Sequence, residues 1–576
     1  MNRLNYKFLF CAAVVCCLLI FTNQSYAQST IIKANGTVTD NKGVNPLFGA
    51  TVHEIGGKEK TTLTDKNGQF QIAVPLHSRL RVSMEGYKSA EVEVTSSDAI
   101  SVQLDTSAAN LDDVIVIGYT TQKKELLTGA VATVKFKEAD AEIPTSSVGN
   151  LLAGRMAGVN VSTPNGAPGA QPSISIRTAS SWNTAGVLYV IDGRISNASD
   201  FNNLAPNEID EITVLKDAAT TAAYGSRAAG GVMVITTKRG KAGKAVVNYS
   251  YNTGRDVRGN NEALTSAVQY GVIYNRISGG GPGALGSAWT SADSTYFATH
   301  DFGSGLGQGF RQINDVFINP YITTHNINAS GGSDKIKYFI GASYVDQSTF
   351  IKNTNLKKYN VRANITADLS KNVSVFAGLS LNDDKFAQPG GDWTGDMYSK
   401  LLVWQPYMPS YTANRLPVDY FWISNKSAEA DGLAGYSKTE NIAPVANLNL
   451  TYNAPFLAGL SAKASYVKSY YFNDTKNFTH PFTYYQLAQT DPYIWNLDSI
   501  VGSRLSAHTP ELEKQASWSQ TGQLDLQLNY VASFGRHHVS AALVYENYQT
   551  SGEGEDAAIT GFPIYTYDQL WAATGG

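Results

Sequence analysis

Cysteine is nearly missing: the 576 residues hold three, at Cys11, Cys16 and Cys17, all inside the first 27. There Arg3 and Lys7 precede an unbroken apolar run from Phe8 to Phe21 and the small-residue stretch Ser25-Tyr26-Ala27, which is the order of an export signal, residues 1–27. Neither Cys16, after Val15, nor Cys17, after Cys16, follows the small residue that lipid attachment prefers. The exported chain therefore has no disulfide framework and stands on packing and hydrogen bonds. Long apolar runs are absent too. The signal is too short to span a bilayer as a helix, and nothing after it approaches the roughly eighteen apolar residues a transmembrane helix requires. Any membrane span must be a β-barrel.

Charge is scarce, at 16% of residues against a usual quarter or so. The signal removes two of the 45 Lys+Arg and none of the 48 Asp+Glu, so 43 bases face 48 acids and the formal charge becomes −5. Nothing in that balance suggests a nucleic-acid partner. Catalytic patterns are also lacking. His508-Thr509-Pro510-Glu511 has the spacing of a zinc pair, but Pro510 interrupts it and a third ligand is poorly placed. His53-Glu54 has Gly57 where a second zinc histidine is needed, and Gly279 to Gly283 lacks the Lys-Ser/Thr of a phosphate loop. There is no nucleophile elbow. These absences point to no enzyme, no metal and no cofactor.

What is abundant is tyrosine, 32 residues, and short β-rich runs. Gly36 to Leu104 reads as a small β-sandwich, with runs Gly36 to Thr39, Ala50 to Glu54, Thr61 to Thr64, Gln69 to Val74, Arg79 to Met84 and Ala90 to Val94 between Gly, Asp, Asn and Pro turns. Next comes LDDVIVIGY, from Leu111 to Tyr119, an acidic-then-β-branched run between polar flanks. Such an extended segment can add itself to another protein's sheet edge. Composition and period alone fit the last strand of the sandwich equally well.

Glu125 to Lys241 places helix-compatible turns between strands. Its end reads as a strand (Glu211 to Leu215), an Ala-rich helix (Asp217 to Tyr224), Gly225 as a left-handed cap, and an apolar strand (Gly231 to Thr237). From Ala245 the period becomes two. Tyr359, Val361, Ala363, Ile365 and Ala367 alternate with Asn360, Arg362, Asn364, Thr366 and Asp368, giving one face for lipid and one for a wet lumen. About nine such strands are joined alternately by tight turns and by long excursions (Gly254 to Thr323, Asp383 to Val445, Tyr471 to Gly522). Trp289, Trp393, Trp404, Trp422 and Trp495 fall in the excursions, where a flat indole with an N–H suits ligand stacking. Ordinary loop packing is the competing reading of each.

Specific blocks carry a family resemblance. GTVTD at Gly36 to Asp40, GATV at Gly49 to Val52, TDKNGQF at Thr64 to Phe70 and EGYKS at Glu85 to Ser89 resemble a carboxypeptidase-regulatory-like domain. LLAGRMAGVNV at Leu151 to Val161, SISIR at Ser173 to Arg177, LYVIDG at Leu188 to Gly193 and IDEITVLKDAATTAAYGSRAAGGVMVITTKRGK at Ile209 to Lys241 resemble a plug domain, although Thr178 stands where relatives commonly have Gly. Together they resemble the front part of SusC/RagA-type TonB-linked outer-membrane transporters.

The resemblance implies a mainly β chain: signal (1–27), carboxypeptidase-regulatory-like β-sandwich (28–105), linker with Ton box (106–124), α+β plug (125–241) and part of an antiparallel transmembrane β-barrel (242–576), about nine strands of about twenty-two. An odd strand count and an end in Ala-Thr-Gly-Gly suggest a longer barrel. It implies that Leu111, Asp112, Asp113, Val114, Ile115, Val116, Ile117 and Gly118 bind TonB, and that Asp192, Gly193, Lys216, Asp217, Tyr224, Gly225, Ser226, Arg227 and Gly231 are plug-motif positions. The implied function is import of an oligosaccharide, or a peptide, through a barrel set in outer-membrane lipid, with the N-terminal domain in the periplasm and a SusD-like surface lipoprotein as partner. A siderophore or vitamin receptor and a non-transporting adhesin remain as alternatives.

Overall fold

The computed structural model describes residues 31–574 apart from 41–44, 56–59, 85–86, 88, 97–98, 106–113, 118–119, 124–129, 137–142, 164–168, 177–185, 258–263, 280–287, 392–396, 421–422 and 535–536. The chain divides into two compact units, Met1–Val114 and Ile115–Gly576.

In the first unit, alternating apolar residues build two facing sheets. One has the order β4 (Gln69–Pro75), β1 (Ile31–Asp40), β7 (Ile100–Leu104), with β1 antiparallel to β4 and parallel to β7. The other runs β3 (Thr61–Leu63), β2 (Thr51–Ile55), β5 (Arg79–Ser83), β6 (Ala90–Glu93). Between them lie Val38, Val52, Phe70, Ile72, Val74, Leu80, Val82, Val102 and Leu104. Thr64, buried, ties a turn to this core by donating to Leu47 O (2.6 Å) and accepting from Ala50 N (2.8 Å).

At the boundary with the second unit stand β8 (Val114–Ile117) and β9 (Thr120–Lys123), a two-stranded sheet of their own. The apolar run thus belongs to neither sandwich sheet, and the polar flank after it is itself a strand. A mixed five-stranded sheet follows in the order β10 (Val131–Lys135), β15 (Ile209–Leu215), β16 (Val232–Thr237), β13 (Leu188–Ile191), β14 (Arg194–Ser196), with β11 (Val159–Ser162) and β12 (Ser173–Ile176) as a separate hairpin. Leu152, Phe201, Ile209, Ile212, Val214, Met233 and Ile235 are buried on one side, Leu215, Tyr224, Val232 and Val234 on the other. A sheet covered on both faces explains strands that read as continuous apolar runs.

Nine antiparallel strands then form one sheet in the order β17 (Gly243–Arg255), β18 (Tyr321–Gly332), β19 (Ile336–Ser348), β20 (Asn355–Asp368), β21 (Val373–Pro389), β22 (Gly435–Asn453), β23 (Leu460–Thr479), β26 (Glu511–Phe534), β27 (His537–Thr560). Its outward face is apolar: Val361, Ile365, Leu379, Leu448, Leu526 and Leu543 are exposed. The strands outrun the alternation in sequence. β22, β23, β26 and β27 continue as paired ladders well past the apolar band, into stretches polar on both faces. There the excursions fold into helices at Ala267–Ile277, Ser291–Thr299, Gln312–Val316, Met397–Leu402 and Lys426–Ala430 and a hairpin, β24 (Thr483–Asp491) with β25 (Ile494–Leu505).

Candidate functional site

The five-stranded unit is fastened to the inward face of the nine-stranded sheet. β13 and β14 are joined by Asp192-Gly193, with φ of +50° and +89°, a two-residue turn for which Asp-Gly is the favoured pair. Asp192 accepts from Thr237 N (3.0 Å) and from the Thr237 hydroxyl (2.6 Å), locking the turn to the end of β16. From the wall, β20 reaches in with every second residue. Lys358 Nζ donates to Ser146 O (2.9 Å) and Asn203 Oδ1 (3.2 Å), and Asn360 to Asn203 O (2.8 Å). Arg362 Nε donates to Glu208 Oε2 (3.0 Å), with Asp192 at 3.9 Å, and Asn364 donates to Thr237 Oγ1 (2.9 Å) and Lys238 O (2.8 Å). Strand period places all four on one face, opposite Tyr359, Val361 and Ile365.

Two further strands grip the same turn. Gln523 Oε1 accepts from Ile195 N (2.9 Å) while its Nε2 donates to Gly193 O (3.2 Å), and Asn447 Nδ2 donates to Asp192 O (3.4 Å). Arg227 pairs with Glu546 at 2.6 Å. Within the unit, Asp217 caps the helix Ala218–Thr221 by accepting from Thr220 N (2.8 Å) and also takes Ala130 N, and Lys216 Nζ donates to Ala157 O. Tyr224 is buried; Ser226 and Gly231 close the turn before β16 through Ala229 N to Ser226 O (3.3 Å) and Gly231 N to Ala228 O (2.9 Å). Gly225 differs from the expected left-handed cap. At φ 66°, ψ −154° it joins two short helices in a region open to glycine, which is why the motif has glycine there.

The family model for the TonB-dependent Receptor Plug Domain matches residues 123–232, and that for the CarboxypepD_reg-like domain matches 34–116. TonB-dependent receptor P3 of Formosa agariphila is 28% identical over 557 residues, 93% of this chain and 50% of that protein. TonB-dependent receptor SusC of Bacteroides thetaiotaomicron is 29% identical over 505 residues, 82% of this chain and 47% of that protein. The chain is homologous to TonB-dependent receptors of the SusC/RagA type and carries their plug domain. It spans about half the length of the curated relatives it matches. Its fold resembles the RagAB peptide importer in the open-open state, with a TM-score of 0.65 and 22% identity over 81% of this chain and 52% of that one.

The long loops pack into one aromatic body: Ala267, Trp289, Phe297, Trp404, Tyr407, Met408, Val418, Tyr420, Leu487 and Tyr493 form its core. Two of the tryptophans lie inside this body. Trp289 is 4% exposed, stacked on Phe297 at 5.5 Å and tilted on Tyr493 at 4.8 Å, and its Nε1 donates to Ser294 Oγ (2.9 Å). Trp404 is 7% exposed, edge-on to Tyr420 at 5.1 Å, and donates to Met408 O (2.8 Å). Both have their faces covered by packing. Trp495 is half-buried against the same core, edge-on to Tyr420 at 5.5 Å. Trp393, Trp422 and Thr178 lie outside the described residues, as do Leu111, Asp112, Asp113 and Gly118 of the Ton-box run. Val114, Ile115, Val116 and Ile117 form β8.

Burial pushes the Tyr407 and Tyr420 hydroxyls well above the usual phenol range, so both stay neutral. His508 faces Ser506 Oγ (2.9 Å) and stands 3.8 Å from Glu429, which is itself 2.5 Å from the buried Lys426. Sequence reasoning missed the latch residues Lys358, Arg362, Asn364 and Gln523. The signal was their polarity on the lumen side of strands otherwise apolar; their partners 126 to 330 residues away were not deducible from period.

Proposed function

We propose that the chain serves TonB-dependent import of a large nutrient, an oligosaccharide or a peptide, across the outer membrane. The observation that carries this reading is a compact plug bonded, side chain by side chain, to the polar face of a sheet whose other face is apolar. Such a plug blocks a lumen until it is moved, and the β-branched segment ahead of it is a handle. TonB adds a strand to Leu111 to Gly118, Asp112 and Asp113 steer a basic partner, and force remodels part of the plug. Since Val114–Ile117 pairs with Thr120–Lys123 in this conformation, TonB either displaces that partner or takes the other edge of the strand. The folded loops face the cell exterior, where a SusD-like lipoprotein helps capture ligand, and the sandwich lies in the periplasm. A peptide ligand gains support from the fold shared with the RagAB peptide importer.

The test is Ile115→Pro in cells expressing the chain at its own locus. Proline removes a ladder donor and should abolish energised uptake while outer-membrane abundance holds. Uptake at the normal rate refutes the coupling role.

A further inference from the structure

We infer that the tight-turn end of the receptor carries a basic collar that holds anionic phospholipid headgroups of the periplasmic leaflet. This rests on the membrane placement proposed above. Lys241 and Lys244, at the entry to β17, Lys335, in the β18–β19 turn, and Lys371, in the β20–β21 turn, are all exposed. They sit at one end of five neighbouring strands, β17 to β21, and at about 4.8 Å per strand spread over roughly 20 Å of rim. Gly240 seats the approach to β17 on β19, since a Cβ there would fall 2.2 Å from Tyr338 N.

The collar carries an excess of positive charge. Among the described residues none of these four ammoniums has an ion pair, and of the acids at this end Asp368 is engaged by Lys337 at 3.5 Å, leaving exposed Asp334. Its level matches a headgroup layer. At the other end of the apolar band an outward aromatic row crosses the same strands: Tyr251 on His325 (ring centroids 4.9 Å), His325 on Tyr344 (6.1 Å), Tyr344 on Tyr359 (5.0 Å). From Tyr344 to Ile336 the strand runs about 27 Å, or about 21 Å of depth at a tilt near 40°, against an apolar band about 25 Å tall. Lys335 follows directly below, with exposed Ile336 and Leu369 marking the lower edge of the band. Lysine stems lie along apolar surface while the ammonium reaches phosphate.

The experiment takes the full chain purified from outer membranes into mixed micelles of equal phosphatidylglycerol and phosphatidylcholine, with retained lipid read by native mass spectrometry. The wild type should retain phosphatidylglycerol preferentially. Lys335→Gln should cut that preference roughly five-fold, and the fourfold Lys→Gln change at 241, 244, 335 and 371 should erase it. The fourfold Lys→Arg change, which keeps charge and fold, should preserve it. Equal retention of both lipids by the wild type, or an undiminished preference in the fourfold Lys→Gln variant, overturns the collar while leaving the transport reading intact. A wild-type chain that fails to fractionate with the outer membrane overturns the placement instead.

Discussion

Arg362→Met isolates the plug latch. Arg362 is 7% exposed and reaches two separate plug segments, Glu208 at 3.0 Å and Asp192 at 3.9 Å. Asp192 keeps its two bonds from Thr237 when the guanidinium goes; Glu208, 1% exposed and with Oε1 already lacking a hydrogen-bond partner, keeps little. Removing one member of a buried pair costs about 3–5 kcal/mol, because a buried charge is left uncompensated. At about 3 kcal/mol the seated-to-loosened ratio of the plug falls roughly 150-fold. The cost falls on plug seating, since β20 keeps its ladders to β19 and β21. Hydrogen exchange should therefore quicken at Leu188–Ile191 and Ile209–Leu215, with no change in strand amides of β21 and β22. Adding Glu208→Gln removes the stranded charge and should restore most of the protection. Exchange within two-fold of wild type in Arg362→Met, or no recovery in the double variant, refutes the latch.

Two other outcomes follow from the loop body. Trp289→Ala empties the centre of an aromatic cluster and should destabilise it by about 3–5 kcal/mol, seen as loss of near-ultraviolet circular dichroism together with ligand binding; weakened binding with unchanged dichroism would restore Trp289 as a ligand contact. Burial, then the charges of Lys426 and His480, lower the His508 pKa below its usual value. The unfolded chain thus takes up that proton first, so the loop body should lose stability as pH falls below about 6.5, by no more than about 1.4 kcal/mol per unit. His508→Gln should flatten thermal melts across that window, and parallel slopes for the two proteins would refute the assignment.

Much of the architecture was readable from local chemistry. Alternation from Ala245 onward located nine strands because lipid on one side and polar groups on the other impose a period of two. The hairpin at Asp192-Gly193 went unread, although Asp-Gly is one of the few pairs that accept two positive φ values. Other features were hidden for equally physical reasons. The upper reaches of β22, β23, β26 and β27 rise past the apolar band, where neither face is selected for hydrophobicity, so backbone pairing holds strands that carry no alternation.

The tryptophans show the same limit. An indole in a loop has one identity whether it meets a ligand or another loop, and only the folding of three distant excursions onto one another buried Trp289 and Trp404. Composition and short periods were enough for the order of sandwich, plug and sheet and for which face of each strand is polar. Tertiary structure alone decided which polar residues meet: Arg362 finds Glu208 across 154 positions, and Gln523 finds Ile195 across 328. A hydrogen bond depends on where two atoms lie in space, and no local pattern in either strand encodes the other's position.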